Sequence, residues 1–273
     1  GNIERIVRTA EYPVTAIEVA VSGVPAVELK QALAPIATSI GVDIAVQSAD
    51  IIRQGARLVV MDVDSTLIQD EVIDLLAREA GCEAAVAEVT ARAMAGELDF
   101  AESLRERVAA LAGTPQSALL TVRDAVRLTP GARTLCRTLV SLGYKLALVS
   151  GGFSEIVGPL AAQLGVHRFR ANTLEVADGV LTGRVIPPIV DRAGKAQALR
   201  EFADEFGFAL SRTVAIGDGA NDLDMLATAG LGVAFNAKPA VAAAADASVT
   251  APYLDSVLYL LGITRQQVEA IGE

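Results

Sequence analysis

The stretch "VVMDVDSTL" (59–67) sets Asp62 and Asp64 directly behind an apolar run. A second run ends in "AIGDGANDLDML" and carries Asp218 and, one helical turn on, Asp222. A third ends in "LALVSGGF" and presents Ser150, while Lys195 lies in "DRAGKAQAL". If the runs are parallel strands, these groups meet at one edge of a sheet. Carboxylates gathered there repel one another unless a cation sits among them. Oxygen donors without His or Cys indicate a hard cation. Mg²⁺ fits best, because it keeps waters and binds through a few carboxylates plus substrate phosphate. The Ser150 hydroxyl, backbone N–H groups of the Gly-rich turns and helix N-termini can donate to phosphate oxygens. Lys195 adds a positive point charge.

That set suits attack on a phosphate monoester. Such esters are among the slowest to hydrolyse unaided, and at the extreme need accelerations of about 10²¹. A carboxylate nucleophile divides the reaction through a covalent intermediate. A second acid two residues away can serve as general acid and base. The spacing of Asp62 and Asp64 therefore reads as one attacker and one proton shuttle.

Composition narrows the alternatives. The 273 residues carry a formal charge of −10, which argues against a nucleic-acid surface. No apolar run reaches the roughly 18–20 residues of a membrane helix. The start, "GNIERIVRTAEY", has charges where a signal peptide needs an apolar stretch, so a cytoplasmic location is expected. It also lacks Met, as a processed, tagged or truncated start would. Cys82 and Cys136 form no CxxC pattern, and His167 is the one histidine. A disulfide scaffold, a zinc site and a cysteine phosphatase loop are thereby excluded. "LALVSGG" is not the GxSxG elbow of a serine hydrolase. With 52% hydrophobic but 4% aromatic residues, the core must be aliphatic.

Three blocks must position the reactive groups. Residues 1–50 hold two strand-like runs, a helix with Pro35 inside, and a further strand in "VDIAVQ", a small α+β unit of order ββαβ. "SADIIRQGAR" (48–57) reads as a polar connection. The run at 58–63, then "KLALVS", "TVAIG", "LGVAF" and "ASVTA", fit fully buried strands. Helical stretches between them end in Gly, as helix C-termini prefer. This alternation implies an α/β, Rossmann-like parallel sheet with helices on both faces. Residues 69–127 interrupt it with helical sequence alone, including a capping box at Asp99 and Glu102. A helical insertion placed there sits over the strand ends, where open α/β sheets bind ligands.

Together, "DVDST", "VSGG", Lys195 and "GDGAND" resemble the four motifs of the haloacid dehalogenase superfamily. The acid at Asp64 favours its phosphatases and phosphomutases. "DVDSTLIQDEVIDLLAREAG", "LDFAESLRERV", "LVSGGF" and "GDGANDLDML" are similar to the phosphoserine phosphatase family over roughly residues 58–260. The resemblance implies Asp62 as nucleophile and Asp64 as acid and base. It implies Mg²⁺ on Asp62, Asp64 (through its main-chain oxygen) and Asp218, with Asp222 orienting the metal shell. Ser150, Gly151, Lys195 and Asn221 would hold phosphate or substrate. Glu71 and Arg107, from a helical cap, would hold the amino group and carboxylate of O-phosphoserine. Residues 58–68 and 128–273 would form the catalytic core, with 69–127 as the cap. Residues 1–50 resemble part of an ACT domain, implying an amino-acid effector there and a homodimer. A phosphatase or phosphotransferase for another small phosphometabolite, or an amino-acid sensor, are the alternatives.

Several of these residues also suit plain structural roles. Glu71 can be a first-turn helix acid and Arg107 a snorkelling surface residue. Lys195 can pair with Asp191 four residues earlier. Phe100 and Met94 suit either the packing of the insertion or a substrate wall.

Overall fold

The structure, a computed structural model, describes residues 1–48 and 57–272. The chain opens with an antiparallel pair, β1 (Asn2–Ala10) and β2 (Ala16–Ser22), followed by α1 (Ala26–Ile40). The strand expected in "VDIAVQ" does not form. Its polar groups are bound elsewhere: Asp43 accepts the Thr250 N–H at 2.7 Å, and the Gln47 amide donates to the Leu260 carbonyl at 2.9 Å. These bonds anchor the segment on the larger unit and take it away from β1 and β2. The expected polar connection at 48–57 falls, apart from its two end residues, outside the described residues.

β3 (Leu58–Met61) then begins the larger unit. Five α-helices follow before the next strand, the first four being α2 (Val72–Ala80), α3 (Glu83–Met94), α4 (Phe100–Ala109) and α5 (Ser117–Ala125). After α6 (Ala132–Ser141) come β4 (Lys145–Phe153), α7 (Ser154–Gln163), β5 (Arg168–Ala177), β6 (Val180–Ile186) and α8 (Arg192–Phe206). The chain continues through β7 (Thr213–Gly217), α9 (Leu223–Thr228), β8 (Leu231–Phe235), α10 (Pro239–Ala244) and β9 (Ala247–Val249). It closes with α11 (Val257–Leu260) and α12 (Arg265–Gly272).

The large sheet has the order β6-β5-β4-β3-β7-β8-β9 and is parallel except for β6. β3 is central, and its alternate side chains serve two cores. Val59 and Met61 join the cluster that includes Leu135 and Ile156 of α6 and α7. Leu58 and Val60 join the one that includes Leu199 and Met225 of α8 and α9. Burial on both faces explains why β3 reads as a continuous apolar run. The hairpin β5–β6 has no counterpart in the expected strands. Its alternation of Arg, Asn, Thr and Glu with apolar residues is that of an edge, which a search for wholly apolar runs passes over.

The helical insertion leaves and rejoins the sheet through one neck. Ile68 bridges Leu128, and the Gln69 N–H donates to the Arg127 carbonyl at 2.9 Å. The Thr129 N–H donates to the Leu67 carbonyl at 3.0 Å. Asp70 is paired with Arg127 at 2.7 Å. The capping box forms as expected, with Asp99 and Glu102 each accepting the other's backbone N–H.

Candidate active site

Asp62 lies one residue beyond β3 and is 4% exposed. Its backbone N–H still belongs to the sheet, donating to the Ile216 carbonyl at 2.9 Å. Its Oδ1 accepts from the Val63 N–H at 2.7 Å and lies 2.8 Å from Lys195 Nζ. Among the described residues nothing donates to Asp62 Oδ2, so one oxygen is committed and the other open. Lys195, on α8, is 1% exposed and also donates to Asp222 Oδ1 at 2.7 Å. It does not pair with Asp191, which instead caps α8 by accepting the Gly194 N–H at 2.7 Å.

Asp222 is wholly buried, and its Oδ2 accepts the N–H groups of Asp218 and Gly219 at 3.1 and 2.9 Å. This fold-back needs Gly217: a Cβ there would lie 2.4 Å from Asp222 Cγ. Thr66 donates its hydroxyl to Asp218 Oδ1 at 2.7 Å. One oxygen from each of Asp62, Asp218 and Asp222 falls within 4.8 Å of the others. Lys195 pairs with two of these three carboxylates, and all donors are oxygen, so the set fits a hard divalent cation. Burial raises the Asp62 carboxyl well above its ordinary range, helped by the Asp222 charge and opposed by Lys195. Burial likewise raises Asp218, against the Thr66 hydrogen bond. Burial alone would lower Lys195, but Asp62 and Asp222 outweigh it and hold the ammonium charged.

The Asp64 carboxylate points away from this cluster. Its Oδ1 accepts the N–H of Val72, the first residue of α2, at 2.8 Å, and its Oδ2 accepts the Ser150 hydroxyl at 3.0 Å. Ser150 Oγ in turn accepts the Gly152 N–H at 2.7 Å. Burial raises Asp64 despite the opposing bonds from Val72 and Ser150. A carboxyl whose proton is held more tightly than usual suits a general acid.

Asp62, Asp64, Glu71, Arg107, Gly151 and Asn221 line one cleft of about 110 Å³. Ser150 and Lys195 stand behind its wall, both buried. Glu71 closes the N-terminal side of α2 and accepts the Ser65 hydroxyl at 2.7 Å. Solvent reaches it through the cleft mouth, yet burial of its carboxylate and the nearby Asp64 charge push it up to about 7. Arg107, on α4, donates to the Ser103 carbonyl at 3.3 Å, and burial lowers its guanidinium against the pull of Glu71. Phe100 is a cleft wall: a Cβ on Gly151 would lie 2.8 Å from its ring. Met94 is 73% exposed and lines the neighbouring groove instead.

The sequence reading missed two supports, Ser65 and Thr66. Both follow directly on Asp64, and Ser65 takes a positive φ of 56° that turns its hydroxyl toward Glu71. The signal was present as the "ST" of "DVDST", but the partners, Glu71 and Asp218, become visible only in the fold.

Residues 59–227 match the haloacid dehalogenase-like hydrolase family, and residues 1–47 match an ACT domain. A phosphoserine phosphatase of Streptomyces coelicolor is 64% identical over 270 residues, covering 99% of this chain. One of Mycobacterium tuberculosis is 53% identical over 271 residues, covering 98% of this chain. The chain spans 66% of the length of each of these two relatives. A solved structure of the phospho-aspartyl intermediate analogue of phosphoserine phosphatase superposes with a TM-score of 0.71 at 39% identity. The match covers 76% of this chain and 99% of that one. With that family matched over more than half of its length, the chain belongs to the haloacid dehalogenase-like hydrolases.

Proposed function

We propose that the chain is a Mg²⁺-dependent phosphoserine phosphatase. It hydrolyses O-phospho-L-serine to L-serine and phosphate, the last step of serine biosynthesis. One observation carries this reading beyond the family: Glu71 and Arg107 line the same cleft as Asp62 and Asp64. A zwitterionic amino acid needs one anion for its ammonium and one cation for its carboxylate, and Arg holds a carboxylate bidentately. The relatives named above, both phosphoserine phosphatases, support it. Residues 69–127 act as the cap, joined by the neck at Ile68 and Leu128 to a core of 58–68 and 128–273.

In the proposed mechanism a carboxylate oxygen of Asp62 attacks phosphorus. The bond from phosphorus to the serine oxygen breaks, and the Asp64 carboxyl gives its proton to that oxygen. Asp64, now a carboxylate, takes a proton from a water whose oxygen attacks the aspartyl-phosphate. Phosphate leaves and Asp62 is regenerated. Gly151 and Asn221 hold phosphate or substrate from the cleft face, with Ser150 joining them once its hydroxyl turns from Asp64, and Lys195 holds it too while screening the charge that would repel an anionic attacker. Asp62, the Asp64 main-chain oxygen and Asp218 would hold Mg²⁺, with Asp222 orienting them. Bound there, the ion supplies charge neutralisation for the phosphoryl group. Phe100 and the cap exclude bulk water.

The N-terminal module, residues 1–50, is assigned an amino-acid effector, supported by the ACT-domain match of residues 1–47, and a homodimer contact. The free thiols of Cys82 and Cys136 suit the reducing cytoplasm. Among the described residues, no helix is long and apolar enough to cross a membrane.

The test is phosphate release from L-phosphoserine and a panel of small phosphate esters, with and without Mg²⁺. The expected result is metal-dependent turnover that prefers phosphoserine. Preference for another ester would keep the mechanism and overturn the substrate; no release from any ester would overturn both.

A further inference from the structure

β4 and β5 run in parallel register to the pair Val149 and Arg170, and resume at Phe153 and Asn172. Between these pairs β4 has three residues, Ser150, Gly151 and Gly152, where β5 has one, Ala171. The extra residues bulge toward the cleft and leave the ladder. A buried carbonyl that leaves a ladder needs another partner. Asn172 provides it: its Nδ2 donates to the Gly151 carbonyl at 2.8 Å. Its Oδ1 accepts the Val190 N–H, also at 2.8 Å. The side chain is 1% exposed, and the two partners fix which way the amide points.

Val190 directly precedes Asp191, the cap of α8. Lys195 donates its own N–H to the Asp191 carbonyl at 2.9 Å, so this short segment sets where its ammonium reaches. One amide therefore ties the loop of Ser150 and Gly151 to the segment that aims Lys195 at Asp62. Two successive glycines give the loop little stiffness of its own.

We propose that Asn172 is a positioning residue for the phosphate-binding loop, acting through the Gly151 carbonyl and the Val190 N–H. The proposal rests on the phosphatase reading above. Only an amide serves both partners. Asp lacks the donor and sets negative charge against a carbonyl oxygen; Ala leaves both backbone groups without a partner.

The test uses the full chain with Asn172→Ala and Asn172→Asp. The readouts are kcat and KM for L-phosphoserine, inhibition by inorganic phosphate, and the rise in Tm that phosphate gives in the presence of Mg²⁺. Folding is followed by circular dichroism. The expected result is folded variants whose kcat/KM falls, and whose inhibition constant for phosphate rises, each by about 10- to 100-fold. The phosphate-induced rise in Tm shrinks in step. Folded variants with a lower Tm but unchanged kinetics and phosphate inhibition would overturn the proposal, leaving Asn172 a fold residue. Should both variants fail to fold, Asn172→Ser carries the same readouts, and failure of all three also overturns it. A wild type that ignores phosphoserine would sink the substrate assignment alone. Phosphate-induced stabilisation still tests Asn172 in that case, and a wild type without it would overturn this proposal too.

Discussion

The two walls of the cleft are built differently. On the sheet side, Asp62, Asp222 and Lys195 are buried and bonded to one another or to backbone N–H groups. On the helical side, the Glu71 carboxylate accepts one hydrogen bond, from Ser65, and Arg107 has no ion pair, among the described residues. The sheet side is thus organised before substrate arrives, which is what stabilising charge at a transition state requires. The helical side keeps two opposite charges free for a partner that carries both. Asp64 joins the walls: it leaves the sheet with Asp62 but accepts the first N–H of α2. Under the proposed mechanism, the proton donor is held by the same helical unit that recognises the substrate.

This contrast predicts the largest effects on the sheet side. Asp62→Asn removes the proposed nucleophile while keeping its shape, and should lower kcat by about 10⁴-fold or more. Residual turnover close to wild type in a phosphate-release assay would mean that another group attacks. Lys195→Met comes next. It leaves Asp62 and Asp222 facing each other without their shared ammonium, so the metal-free protein should lose about 3–5 kcal/mol in urea unfolding. A loss well below that would show that the sheet side is less tightly organised than its hydrogen bonds imply.

On the helical side the effect should appear in binding. Arg107→Ala should raise KM for phosphoserine by about 10- to 100-fold, the range of one or two charge-assisted hydrogen bonds. Stability should change little, because no ion pair is broken. Arg107→Lys should restore only part of the affinity, since a point charge does not reproduce a bidentate fork. A fall in kcat with unchanged KM would erase the distinction between the two walls.

The same contrast explains what could be read from the sequence. The sheet side was legible because β3, β4 and β7 each carry an apolar run that leads into a polar group. Buried parallel strands leave that signature, and Asp62, Ser150 and Asp218 follow from it. Lys195 and Asp222 were legible as residues but not as a pair, since their contact spans 27 positions and depends on how α8 packs. Glu71 and Arg107 came from motif resemblance alone; by pattern each is an ordinary helix residue. Asn172 was invisible because β5 alternates polar with apolar residues and pairs with β4 in an irregular register. The failed strand at "VDIAVQ" shows the reverse case. Its β propensity is real, but Asp43 and Gln47 bind the large unit and draw the segment off the small sheet.

The smallest effect concerns the pH response of the helical wall. In the folded protein the Glu71 carboxyl is pushed from 4.5 up to about 7, chiefly by burial and then by the Asp64 charge. The folded state therefore holds the Glu71 proton more tightly than the unfolded chain. Its contribution is present in full below the unfolded value and is lost as pH rises through the folded one. Metal-free wild type should lose Tm relative to Glu71→Gln between pH 5 and pH 8, with the two nearly matched at the acidic end. The change should be small, because solvent at the cleft mouth screens the carboxylate. The Asp218 charge on the sheet side adds to the same upward push, but less than burial and Asp64 do. A Tm difference that stays constant across the range would show that Glu71 ionises normally, and that the helical wall is as open to water as its surface suggests.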